Sequence, residues 1–107
     1  MGRKFFHITD KRHLPSIMRK GLLPKAYPGD REKGKGIWFW DNLEVALGNC
    51  DPLLGFEVIL EVDVPSNLPI GRRWNEGNDV FEYAVHGKIP PNNVKELARA
   101  RLPGALE

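Results

Sequence analysis

The feature that most limits how this chain can fold is its density of structure-breaking residues, with 11 glycines and 9 prolines among 107 positions. Proline removes a backbone donor from a helix interior and glycine weakens regular structure, so many short elements joined by turns are expected. A bundle of long helices is thereby excluded. Chains of this length form one domain with a modest core, so residues 1–107 are expected to be a single domain.

Charge and cysteine content exclude several classes of protein. The net charge of +2, from 16 Lys and Arg against 14 Asp and Glu, is too small for a dedicated nucleic-acid binding face. No stretch approaches the roughly 20 apolar residues of a membrane span, and the basic N-terminus lacks the apolar segment of a signal peptide. A single cysteine, Cys50, excludes a disulfide within the chain and a cysteine-rich metal site. These observations predict a soluble, cytoplasmic protein without membrane contact.

The hydrophobic pattern predicts an α+β domain. Aromatic, β-branched or alternating segments predict strands at residues 3–8, 37–40, 56–64 and 80–85. Leu14, Ile17 and Met18 recur at helical spacing before Gly21, which predicts a short helix that ends at this glycine.

A second short helix is predicted from residue 42 to about residue 49, with Asp41 as its N-cap and Leu43, Ala46 and Leu47 on one face. Residues 23–36 and 65–79 have the composition of exposed loops, the second of which contains Arg72, Arg73 and Trp74. Residues 94–102 fit a helix or a strand equally well.

Three residues could carry chemistry, although each has an ordinary structural explanation. His7 lies in an aromatic strand, where a histidine is most often a hydrogen-bonded core residue, and Trp38 would by default be a core aromatic. Glu82 lies between Phe81 and Tyr83, and strand alternation would place it toward solvent.

Other common site patterns are missing. The histidines lack metal-ligand spacing, so no metal is expected. Ser16, Ser66 and Cys50 have no nucleophile signature. The segment Gly34-Lys35-Gly36 lacks the rest of a dinucleotide or Walker A loop.

Taken together, four segments resemble the ADP-ribosyltransferase superfamily, in the branch of diphtheria toxin and the poly(ADP-ribose) polymerases. That branch has a histidine on its first strand, an I-L-x-x-G-L helix, a G-K-G-I-Y-F-A strand and an N-E-Y strand. The corresponding segments here are H-I-T at 7–9, L-P-S-I-M-R-K-G-L at 14–22, G-K-G-I-W-F-W-D at 34–41 and F-E-Y-A-V at 81–85. The resemblance covers about residues 5–94, and its third motif is the most specific.

The resemblance implies a minimal fold in which two small, mainly antiparallel sheets and two short helices form a cleft for NAD. It implies that His7 hydrogen-bonds the adenosine ribose, that Trp38 replaces the tyrosine on which nicotinamide stacks, and that Glu82 is the catalytic glutamate. His7 and Glu82 are thus the implied catalytic residues. The implied cofactor-binding positions are His7, Ile8, Thr9, Arg31, Gly36 and Trp38. A carboxylate in the role of Glu82 is chemically reasonable, because positive charge develops at the anomeric carbon as nicotinamide leaves.

Departures from the family pattern concern the nicotinamide pocket and the acceptor. Ile8 stands where the family often has glycine, and Asn49 stands where the polymerase branch has a second stacking tyrosine. Val80 replaces the Glu or Gln of the arginine-modifying toxins, which disfavours arginine as acceptor. The opening motif is also similar to that of toxins that modify thymidine in DNA, and Arg31 is the positional candidate for their arginine.

The implied function is transfer of ADP-ribose from NAD to an unidentified acceptor, protein or nucleic acid, with release of nicotinamide. One alternative is a catalytically weak or inactive module of the same fold that binds nucleotide or a protein partner. Another is a toxin that modifies nucleic acid. The loop from residue 24 to residue 35 is expected to cover the cleft, and Arg72, Arg73 and Trp74 are expected to face the acceptor.

Overall fold

The computed structural model describes residues 2–26, 35–51, 53, 55 and 57–99. Within these ranges two short helices accompany a set of strands, which confirms the α+β class. The helices are α1 (Leu14–Lys20) and α2 (Leu43–Gly48), and single 3-10 turns lie at Lys11–His13 and Pro91–Asn93. The strands are β1 (Arg3–Thr9), β2 (Lys25–Ala26), β3 (Lys35–Trp40), β4 (Val58–Val64), β5 (Ile70–Asn75), β6 (Val80–Val85) and β7 (Val94–Arg99).

The strands form an antiparallel sheet in the order β5-β6-β3-β1-β4-β7, and β2 pairs with the beginning of β3. Where two sheets were expected, the described strands join into one, because β3 pairs with β6 on one side and with β1 on the other. Central strands pair with partners that are distant in sequence, whereas β5 and β6 form a local hairpin.

The core lies on one face of this sheet. Alternate residues of β4 are fully buried there, together with Phe5 of β1 and Phe39 of β3, and Ile17 of α1 packs in the same cluster. Ala46 of α2 and Ile59 of β4 are also fully buried but lie outside that cluster, and α2 contacts β1 and β3. The two helices therefore cover opposite faces of the sheet.

Helix α1 ends at Gly21, as the sequence predicts, and the backbone at Ile89 packs against this end of the helix. Gly21 has a φ of 85°, and a Cβ there would lie 2.0 Å from the carbonyl oxygen of Ile89. Leu22 and Ile89 exchange backbone hydrogen bonds of 2.9 and 3.0 Å. Only glycine fits this position without displacing the bridge.

Helix α2 begins one residue later than predicted. Its N-cap is Asn42 rather than Asp41, because the Asn42 side chain accepts the backbone N–H groups of Glu44 and Val45 at 2.8 and 3.3 Å. Asp41 instead accepts the hydroxyl of Tyr83 at 3.2 Å. The predicted buried face is correct for Ala46 and wrong for Leu47, which is 48% exposed.

Three further segments are strands. The prediction of a loop over residues 23–36 is wrong for Lys25–Ala26, which pairs with the beginning of β3. The prediction of a loop over residues 65–79 is wrong for Ile70–Asn75, which pairs along its length with β6. The ambiguous segment forms a strand at Val94–Arg99, and its pairing with β4 shifts between Ile59 and Leu60. Such a shift breaks strict alternation, which explains why the local pattern also fitted a helix.

Candidate functional site

The sheet opens between its two central strands. In the described strands, β1 and β3 are in register at Phe6 and Trp40, whereas β1 pairs with β4 from Arg3 to Thr9. Beyond that pair the C-terminal half of β1 and the N-terminal half of β3 form the two edges of a split. Of the residues assigned to cofactor binding, Ile8 and Thr9 follow His7 along one edge.

Gly36 and Trp38 lie along the other edge. Backbone donors and acceptors that are not used in a strand ladder are available to a ligand or to side chains. The structure therefore brings five of the six implied cofactor-binding residues to one opening. The sixth, Arg31, lies outside the described residues, as does most of the loop expected to cover the cleft.

His7 bridges the split. Its Nδ1 lies 2.8 Å from the main-chain carbonyl oxygen of Trp38, and its ring packs against Phe39 at a centroid distance of 5.5 Å. Because a carbonyl can only accept, Nδ1 carries the proton in this contact and Nε2 of the neutral ring is a hydrogen-bond acceptor. No partner for Nε2 is present within the described residues.

The environment of His7 favours its neutral form. Burial lowers the pKa of His7, the hydrogen bond to the Trp38 carbonyl opposes this shift, and the positive charge of Lys25 adds to the lowering. A neutral imidazole with a protonated Nδ1 offers Nε2 to a hydroxyl donor. A ribose hydroxyl has this chemistry.

Glu82 is buried, contrary to the solvent-facing position that simple alternation suggests. Its side chain is 6% exposed, on β6 between Phe81 and Tyr83. Trp40 of β3 and Arg73 of β5 lie directly across from it in register. The side-chain amide of Asn75 donates to Oε2 of Glu82 at 3.4 Å. The buried carboxylate thus has an amide donor, and its cross-strand neighbours are an aromatic and a cationic residue.

The structure brings Trp38 and Glu82 to one face of the sheet but leaves His7 on the other. Trp38 alternates with the core residue Phe39, and Glu82 alternates with Tyr83. His7 instead shares a side with the core residue Leu60, its pairing partner on β4. The link between His7 and the Glu82 face passes through the main chain of Trp38.

The remaining positions on the edges of the split contribute mainly through the backbone. Thr9 is 7% exposed, and its carbonyl accepts the N–H of Glu57 at 3.2 Å. Ile8 pairs with the buried Ile59. At Gly36 an added Cβ would meet its nearest neighbours at 3.5 Å or more, so the glycine is not required by close packing.

The residues expected to face an acceptor lie on an edge strand rather than a loop. The Arg72 guanidinium stacks over the Phe81 ring at 4.4 Å, and Trp74 meets that ring edge-on at 5.1 Å. These contacts lie on the core side of β5. Arg73 alternates with them and faces the side of Glu82.

Sequence reasoning missed Asn75 and Asn78. Neither belongs to a motif, and asparagine in a turn is usual for local reasons. Asn75 reaches Glu82 because the β5–β6 hairpin pairs their strands, and Asn78 contacts Asn75. The N-G-N-D composition at 75–79, interrupted by Glu76, was the available signal, and it indicates a turn rather than a site.

A pocket of about 190 Å³ lies elsewhere, beside the pairing of β4 with β7. Its lining carries two lysines and two carboxylates, and Lys4 and Lys95 approach Glu61 to 3.1 and 4.0 Å. Exposed ion pairs of this kind contribute little energy.

Comparison with known protein families, with curated proteins and with solved structures found no match to this chain. In the part of the chain that the structure describes, no three His, Cys, Asp or Glu side chains are grouped so that they could hold a metal ion. The helices among those residues are all too short or too polar to cross a membrane.

Proposed function

We propose that the chain is an NAD-dependent ADP-ribosyltransferase, whose substrate lies along the split between β1 and β3. The observation that carries the proposal is a buried carboxylate, Glu82, on the same face of the sheet as Trp38, whose strand β3 pairs with β6 and forms one edge of the split. The two halves of the sheet, β5-β6-β3 and β1-β4-β7, would act as the two small sheets of the cleft.

Each residue has a role that its surroundings allow. Nε2 of His7 accepts a hydroxyl of the adenosine ribose, because Nδ1 is committed to the Trp38 carbonyl. The indole of Trp38 stacks on the cationic nicotinamide ring, an arrangement favoured by the electron-rich face of the indole. Glu82 accepts a hydroxyl of the nicotinamide ribose and faces the reacting carbon.

The chemistry is a substitution at C1 of that ribose. The bond from C1 to the nicotinamide nitrogen breaks, and nicotinamide leaves as a neutral molecule with the bonding electrons. Positive charge that develops on the ribose is stabilised by the Glu82 carboxylate. The acceptor nucleophile then bonds to C1 and loses its proton, and water in that position gives hydrolysis. A preorganised charge of this kind contributes about 10²-fold or more to the rate.

The decisive experiment is nicotinamide release from NAD by the wild type, Glu82→Gln and Glu44→Gln. Glu44 lies exposed in the first turn of α2 and serves as the matched glutamate. We expect Glu82→Gln to lower kcat by about 10²-fold or more and Glu44→Gln to leave it unchanged. Equal background signals from the wild type and Glu82→Gln, when NAD binds to both, would contradict the proposal.

One observation favours a second candidate, a module of this fold that binds nucleotide without catalysis. His7 and Glu82 project from opposite faces of the sheet, so a ligand bound at His7 has to reach around the edge of β3 to contact Glu82. NAD binding without nicotinamide release would support this candidate.

The acceptor is a separate question, and both protein and nucleic acid are consistent with the proposal. Labelled NAD incubated with DNA, RNA and lysate protein in parallel identifies which class receives ADP-ribose. Transfer to DNA or RNA would support a nucleic-acid-modifying toxin, and transfer to protein alone would exclude it.

A further inference from the structure

We propose that Asn75 is a positioning residue for Glu82, and that Asn78 and Asn49 hold Asn75 in place. This inference rests on the proposed function and adds to it a group that no motif indicates. The three asparagines form a chain of side-chain contacts that runs from the C-terminal end of α2, through the β5–β6 turn, to the buried carboxylate.

The first link is the contact between Asn75 and Glu82. Nδ2 of Asn75 lies 3.4 Å from Oε2 of Glu82, whose side chain is 6% exposed. A carboxylate in such a place has lost most of its water and needs donors from the protein. The Asn75 amide supplies one of them from the neighbouring strand.

The second link fixes which way the Asn75 amide points. Its Oδ1 accepts both the main-chain N–H and the side-chain Nδ2 of Asn78, at 3.0 and 3.3 Å. A flipped amide would lose both contacts and would turn its oxygen toward the carboxylate. The donor is therefore held toward Glu82 before any substrate arrives.

The third link ties this turn to α2. The side-chain amides of Asn49 and Asn78 contact each other reciprocally, at 3.0 and 3.4 Å. Asn49 also donates to the carbonyl of Val45 at 2.8 Å, and it caps the end of α2. Helix α2 and the β5–β6 hairpin thus hold the chain of side-chain amides at both ends. Supporting groups of this kind hold a reacting group in a productive geometry.

The test is a kinetic comparison of four variants. We expect Asn75→Ala to lower kcat for nicotinamide release by about 10- to 100-fold and to change KM for NAD by less than about threefold. Asn75→Asp keeps the shape of the side chain but replaces the donor with a second carboxylate, so its kcat should fall at least as far. Asn78→Ala should lower kcat less than Asn75→Ala does, because the contact between Asn75 and Glu82 is kept.

Asn93→Ala is the matched control. Asn93 also donates through its side chain, to the carbonyl of Asp63 at 2.8 Å. It directly precedes β7, at the opposite edge of the sheet from β5. Its kcat is expected to match the wild type. A loss in Asn93→Ala equal to that in Asn75→Ala would mean that any removed asparagine contact weakens the enzyme, and would overturn the proposal.

A double variant separates positioning from general structural damage. If Asn75 acts through Glu82, then Asn75→Ala combined with Glu82→Gln should release nicotinamide as slowly as Glu82→Gln by itself. A further loss equal to that of the single variant would overturn the proposal.

The activity of the wild type distinguishes failure of the proposed function from failure of this inference. An inactive wild type contradicts both the proposed function and the role of Asn75. An active wild type, together with a kcat for Asn75→Ala within twofold of it, contradicts this inference alone.

Discussion

The imidazole of His7 donates to the main-chain carbonyl of Trp38 at 2.8 Å and so joins the two strands where they diverge. A side chain takes over a contact that a backbone N–H would make in an unbroken ladder. His7 therefore has two tasks in the proposed site. It holds the edge of β3 in place through Nδ1 and offers Nε2 to the ligand.

Removal of His7 should weaken NAD binding. We expect His7→Ala to raise the dissociation constant for NAD by about 10-fold or more, since one ligand hydrogen bond and the tie between the strands are lost together. Isothermal titration with NAD in the Glu82→Gln background measures binding without turnover. His13→Ala is the control, because His13 is exposed and makes no side-chain capping bond. Equal NAD affinities for His7→Ala and His13→Ala would show that His7 does not contribute to NAD binding.

Stability should depend on pH through His7. Because burial lowers the pKa of His7 in the folded state, the unfolded chain binds more protons below about 6.5, the ordinary value for histidine. This contribution to the free energy of unfolding is complete at higher pH and is lost as pH falls from about 6.5 through the folded pKa.

Urea unfolding of the wild type and His7→Gln between pH 8 and pH 5 tests this sign. We expect the wild type to lose more stability over that interval than the variant, with His13→Gln as the control for the loss of one histidine. A wild type that gains stability relative to His7→Gln on acidification would show that His7 is charged in the folded protein.

The aromatic character of position 38 should matter more than the indole itself. Trp38→Tyr introduces the tyrosine that the ADP-ribosyltransferase motif has at this position. We expect it to keep NAD affinity within about threefold of the wild type. Trp38→Ala removes the stacking surface and should raise the dissociation constant for NAD by about 10-fold. Trp74→Ala removes an indole that is 46% exposed on the edge strand and serves as the control. Titration with NAD in the Glu82→Gln background again measures the affinities. A larger loss of affinity in Trp74→Ala than in Trp38→Ala would indicate that NAD binds at β5 instead.

Two glycine-to-alanine changes should have opposite effects on stability. Gly21→Ala forces a Cβ to within 2.0 Å of the Ile89 carbonyl in a backbone with positive φ, and we expect it to lower the free energy of unfolding by about 2 to 4 kcal/mol. At Gly48, in α2, an added Cβ would have no atom of the described residues within 4 Å apart from its chain neighbours and the backbone of the helix. Gly48→Ala should raise the free energy of unfolding by about 0.5 to 1 kcal/mol. Urea unfolding curves measure both, and comparable losses would disprove the steric explanation for Gly21.

The strands that the sequence predicted correctly are those with a strong local pattern. β1, β3, β4 and β6 combine aromatic or β-branched residues with one buried face, and this pattern does not depend on their neighbours. The edge strand β5 was missed because its residues are mostly exposed and include Gly71 and two arginines. Its strand conformation comes from pairing with β6, which no local window contains.

The sequence motifs indicate which residues form the proposed site but not how they are arranged. His7 and Trp38 meet across the split between β1 and β3, whereas Glu82 lies one strand farther away, on β6. Alternation could not predict the burial of Glu82, because that burial depends on a face covered by other parts of the chain. The contact of Asn75 with Glu82 likewise depends on the geometry of a hairpin.

The order of the strands has a kinetic consequence. Along the order β5-β6-β3-β1-β4-β7, β5 and β6 are consecutive in the chain, and the other neighbours in that order are separated in the chain by at least one other described strand. Loops must close before such contacts form, so folding is expected in the slow range of milliseconds to seconds. During synthesis β1 emerges long before β4, its partner along its full length. Its apolar residues stay exposed in that interval, and the growing chain is then most exposed to aggregation.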